Sequence, residues 1–186
     1  QSLGRFGINL GFGDKTVAEV CEEQGVDTYT FLALVNFSIN GFKEIDDVSK
    51  LSVDTLLSYL RSCHRYYLDF QLPFIRKELT QALDERDGLA GLILKIYDEY
   101  ALSIHQHMKY EEKEVFPYVE QLLEGKSSST YSIDVYSRNH DHAEQKLREL
   151  KNIIIKYLPS DGMGNNLLLA ALHDIFNNEE WLIQHT

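Results

Sequence analysis

Four long stretches of this chain carry an apolar residue at every third or fourth position, and each places one histidine on that apolar phase. The first runs Val53, Leu57, Leu60, His64, Tyr67, Gln71, Ile75, and the second Ile93, Ile96, Tyr100, Ile104, His107, Glu111, Val115, Tyr118, Leu122. The third runs Tyr136, His140, Ala143, Leu147, Leu150, Ile154, Tyr157. The fourth runs Leu168, Ala171, Ile175, Asn178 or Glu179, Leu182, His185. A repeat of three and four is helical, so the spacing predicts an all-α fold, an up-down-up-down four-helix bundle over residues 48–186. Pro73 is expected to bend the first helix rather than end it, because apolar spacing resumes at Phe74 and Leu79. Imidazoles on the inward phase of all four helices would then face one axis, with Glu111 one turn after His107.

Ligands must also meet at one height. With turns near residues 87, 127 and 161, the paired positions on neighbouring antiparallel helices differ in distance from their turn by three residues. At about 1.5 Å per residue that is roughly 4.5 Å, comparable with the roughly 3.5–4 Å between the ions of a two-metal cluster. A buried imidazole with no partner costs about 1–3 kcal/mol, and four would threaten a total stability of about 5–15 kcal/mol. The pattern therefore predicts a metal site held by His64, His107, Glu111, His140 and His185. Nitrogen and carboxylate donors suit iron, manganese, zinc or copper, and Cys63 lies one residue out of phase with the seam. His105, His142 and His173 are read as non-ligands: His142 at the surface, His105 at the bundle boundary and His173 partly buried. Tyr67, Tyr100 and Tyr136 fall on core stripes near ligand height, and Glu144 on a solvated flank.

Residues 1–47 differ, holding six of the eleven glycines. Thr16 and Glu19 form a capping-box pattern for a helix that should stop at Gly25, and a second helix is expected from about Thr28 to Asn40, ended by Gly41. This predicts a small N-terminal helical module that covers one end of the bundle or forms a contact within a homodimer. Its helix-turn-helix rhythm suggests a DNA-binding regulator, but residues 1–47 hold three basic and eight acidic side chains, and 28–40 hold no lysine or arginine. Phosphate contacts need such groups, and the whole chain carries a net charge of −11. Nucleic acid and anionic membrane are thus not the expected partners. No stretch reaches the ~18–20 apolar residues of a membrane span. Cys21 and Cys63 form no CxxC pair, so a reducing cytoplasm is the expected compartment. Gln1 is not an initiator methionine, so the chain is read as a fragment.

His64-Arg65, the run His107-Met108-Lys109-Tyr110-Glu111-Glu112 leading into Val115-Phe116-Pro117, Asn139-His140-Asp141 and Ile183-Gln184-His185 together resemble the hemerythrin-like cation-binding family. The order His, His-x-x-x-Glu, His, His looks most like its repair-of-iron-centres branch. That resemblance implies a non-haem di-iron bundle behind a small N-terminal module, with the four histidines as terminal ligands and Glu111 as a bridge. It also implies restoration of iron–sulfur clusters damaged by nitric oxide or peroxide, with iron–sulfur proteins as clients. Two departures stand out. The branch usually carries an adjacent cysteine pair after a Gly-(Ile/Met)-Asp stretch, where this chain has Gly25-Val26-Asp27-Thr28-Tyr29-Thr30. The branch also places a second bridging glutamate four residues after the last histidine, at a position beyond Thr186, so the bundle is expected to be C-terminally incomplete. The rival reading is an oxygen or nitric oxide binder or sensor without turnover. Simple oxygen carriage fits less well, because the His-x-x-x-His pair of hemerythrins proper is absent.

Overall fold

The computed structural model describes residues 2–40, 47–83, 88–126, 141–157 and 166–185, and no strand occurs among them. The expected helix end at Gly41, the turns at Asp87, 127–130 and Pro159–Gly162, and Tyr136 all fall outside these residues. Two compact units are present, Gln1–Tyr67 and Leu68–Thr186.

The first unit contains α1 (Ser2–Arg5), α2 (Val17–Glu23), α3 (Thr28–Asn40) and α4 (Val53–Tyr66). Its helix starts are set by side-chain caps. Thr16 accepts from the Glu19 amide while the Glu19 carboxylate accepts from the Thr16 amide, the reciprocal pairing anticipated from the sequence. Gly25 then takes φ +67°, the left-handed conformation that lets a chain leave a helix. Asp27 accepts from the Thr30 amide at 2.8 Å and hydroxyl at 2.7 Å at the start of α3. The buried Thr30 hydroxyl in turn accepts from the Ser52 amide at 2.7 Å, and Ser52 caps α4. The unit's core is Phe6, Ile8, Val20, Cys21 and Phe31, with Tyr59 of α4 packed against it. The compositional break at 47/48 and the structural division at 67/68 differ because α4 supplies Tyr59 and Thr55 to this unit.

In the second unit, α5 (Leu72–Ala82) packs on α6 (Gly88–Tyr110) and on α9 (Asn166–His185), and α8 (Asp141–Tyr157) packs on both α6 and α9. These contacts close a ring of four helices around Ile75, Leu79, Ile93, Ile104, Leu147, Leu150, Ile175 and Leu182, all at most 2% exposed. The Tyr97 hydroxyl donates to the Leu72 carbonyl at 2.8 Å, and Arg76 forks onto both Asp98 oxygens at 2.6 and 3.2 Å, tying α5 to α6. Lys151 pairs with Glu179 across α8 and α9. Among the described residues no helix is long and apolar enough to cross a membrane.

Helical structure is interrupted by two π-helical segments, Tyr67–Gln71 between α4 and α5 and Glu111–Val115 between α6 and α7 (Phe116–Leu123). Here the structure departs from the expected stripes. After Tyr67 the next buried residue is Leu72 rather than Gln71, and after Glu111 it is Phe116 rather than Val115. Tyr118 is half-buried and Leu122 exposed. Each gap is five residues, and the Phe116 amide donates to the Glu111 carbonyl five residues back. Pro73 and Pro117 each follow a π segment by two residues, at the start of the next α-helix. A proline inside an unbroken α-helix removes one hydrogen bond and clashes with the carbonyl four residues back, at a cost of about 3 kcal/mol or more. In the first turn of a new helix neither penalty applies.

Candidate metal centre

α6 keeps one face inward by spacings of three and four from Ile93 through Tyr97, Tyr100 and Ile104 to Met108 and Glu111. His107 and Glu111 are one turn apart on this helix, so they share a face. Their side chains are only 9% and 4% exposed, and His107 Nε2 stands 3.4 Å from Glu111 Oε2. Tyr100 is fully buried two turns before His107.

His64 lies in the last turn of α4 and is fully buried, with Tyr67 buried one turn on. Cys63 next to it belongs to another face. Burial pushes the Cys63 thiol up from its usual value, against the opposing pull of the Arg5 guanidinium and a hydrogen bond with Tyr59. Desolvation, with Cys63 alongside, raises the Tyr59 hydroxyl to about 12.

His140 lies outside the described residues. His185 is the last residue of α9, and its side chain lies outside them too, as do those of His142 and Glu144. Of the five expected ligands the structure therefore brings His107 and Glu111 together and buries His64. Among the described residues no set of three or more His, Cys, Asp or Glu side chains is gathered to hold a metal. His105 is exposed, and so is His173, which the sequence had suggested was partly buried. Its face explains the difference, since Leu169 and Phe176 beside it are 59% and 45% exposed. On α9 it is Asn178 that turns inward, while Glu179 takes the ion pair with Lys151.

The donor chemistry fits a metal cation: an imidazole nitrogen and a carboxylate oxygen stand side by side on a nearly dry face. A family model for the hemerythrin HHE cation binding domain matches residues 55–186. The chain belongs to the hemerythrin HHE family. No curated protein and no solved structure matches the chain. Membership in the HHE family gives the bundle a cation-binding role and takes in every candidate ligand from His64 to His185.

The sequence reading did not anticipate the two π turns, nor the fully buried Met108 and nearly buried Tyr97. The available signal was a proline two residues past each break, which marks where an α ladder cannot continue without showing how the chain adapts.

Proposed function

We propose that this chain is a non-haem di-iron protein that restores iron–sulfur clusters damaged by nitrosative or oxidative stress. The observation that carries the reading is the buried His107–Glu111 pair, at 3.4 Å, inside the matched cation-binding domain. His64, His107, His140 and His185 would hold the metal as terminal ligands and Glu111 would bridge. Bound iron would supply one-electron chemistry and open coordination positions. The protein's own part is to present imidazoles and one carboxylate from a face that Ile104, Met108 and Phe116 keep dry. Iron–sulfur client proteins, or the gases oxygen and nitric oxide, are the proposed partners. Both cysteines are free thiols, in keeping with a reducing cytoplasm. The absence of any lysine or arginine in α3 speaks against a DNA-reading role.

Metal analysis and an absorption spectrum of freshly purified protein test the metal, and reactivation of a nitric-oxide-damaged iron–sulfur enzyme tests the role. Bound iron, lost in His107→Ala and kept in His142→Ala, is the expected result. Zinc alone would sink the reading. Iron binding with nitric oxide uptake but no reactivation would move the assignment to gas sensing.

A further inference from the structure

α4 has one buried face and one partly buried face. One is the ligand face, Leu57, His64 and Tyr67. The other is Tyr59, Cys63 and Tyr66, spaced by four and three, and it is gripped by α1. The Arg5 guanidinium stacks 4.8 Å over the Tyr66 ring, and its charge acts on both Tyr59 and Cys63. Phe6, the next residue, packs its ring 4.4 Å from Tyr59 and 4.8 Å from Phe31. Although α1 is only four residues long, it is anchored: the Ile8 amide donates back to the Leu3 carbonyl at 3.1 Å, and Ile8 sits in the core.

Cys63 and His64 are neighbours in sequence, about 100° apart around the helix. A grip on the 59–63–66 stripe therefore fixes the rotation of α4 about its axis, and with it the direction of the His64 imidazole. The Arg5 stack on Tyr66 and the Phe6 ring against Tyr59, two turns apart on α4, resist that rotation better than apolar packing alone, because planar stacking is directional.

We infer that Arg5 is a positioning residue for His64, and that the N-terminal module serves as a rotational clamp on the helix that carries this ligand. The inference rests on His64 being a metal ligand, as proposed above. It gives the module a role that needs neither the missing cysteine pair nor nucleic acid.

The test is anaerobic titration of the full chain with ferrous iron. Arg5→Ala should weaken iron binding about 10–100-fold, the range seen when groups that orient a ligand are removed. It should also shift the absorption of the loaded protein. Arg5→Lys, which keeps the charge but not the planar stack, should restore part of the affinity. Thr16→Ala breaks the capping box of α2 and loosens the module elsewhere, so it should leave iron affinity unchanged. In the metal-free protein, Arg5→Ala should speed amide exchange in α4, the helix that α1 packs against. Wild-type iron affinity in Arg5→Ala, or an equal loss in Thr16→Ala, would overturn the inference. If the wild-type chain bound no iron, the metal reading would fall, and the clamp would stand or fall on amide exchange in α4 alone.

Discussion

Residues 1–67 and 68–186 are both helical, yet they are held together by different means. The first unit has a small aromatic core around Phe6 and relies on side-chain caps: Thr16, Asp27, Asp47 and Ser52 each satisfy a helix-start amide. The second closes a ring of aliphatic layers, with ion pairs such as Arg76–Asp98 and Lys151–Glu179 between its helices. The difference reflects size. A short module cannot bury enough apolar surface to fix its helices, so local hydrogen bonds define where each begins.

The largest effect should come from the aliphatic ring. Leu150→Ala should cost about 2–5 kcal/mol, read by urea denaturation, with amide exchange rising in α6, α8 and α9 and not in α2 or α3. Equal loss of protection in both units would show that they unfold as one and break the comparison. Asp27→Ala should cost about 1 kcal/mol, the usual worth of a helix cap. That loss should appear in the amides of α3.

Acid should separate the units by sign. Hydrogen bonds from Thr30 hold the Asp27 carboxyl below its ordinary value, and those from Ser49 do the same for Asp47. Their contribution is complete above the unfolded value of about 4 and is lost as pH falls through the folded value. Circular dichroism and exchange at pH 3 should therefore find α3 weakened before the bundle. Glu78 shifts the other way. Partial burial and the Asp174 carboxylate across from it raise its pKa, and its Oε2 is buried without a hydrogen-bond partner among the described residues. It favours the fold below its unfolded value, and that help is lost as pH rises through the folded value, leaving like charges side by side at neutral pH. Glu78→Gln is the smallest effect: a rise in Tm of about 1–2 °C at pH 7, fading below pH ~4.5, the ordinary value. A fall in Tm at pH 7 would mean that the carboxylate has a stabilising partner.

Much of this architecture was legible beforehand. Leu147, Leu150 and Ile154, and likewise Ala171, Ile175 and Leu182, are buried on the phase that spacing assigns them, as is the pair His107 and Glu111. The Thr16–Glu19 cap was readable because both of its partners are fixed by sequence distance. Leu72 and Phe116 were missed because a periodic pattern is extrapolated with a constant turn, and a π segment spends one residue more than that. The second face of α4 was missed for another reason. Tyr59, Cys63 and Tyr66 form a stripe only once α1 is seen to cover it, and α1 is too short to announce itself by periodicity.

The π turn at Glu111–Val115 also bears on which changes of chain length this helix can absorb. Deleting one residue among 112–115 would bring Phe116 to a single α turn beyond Glu111, with every inward residue from Ile93 onward still inward. Pro117 would then sit inside an uninterrupted ladder, where its ring clashes. Loss of the residue therefore requires loss of the proline as well. A shortened helix that has also given up Pro117 would keep both halves in phase, whereas the deletion made with Pro117 retained sets the two halves of the helix against each other.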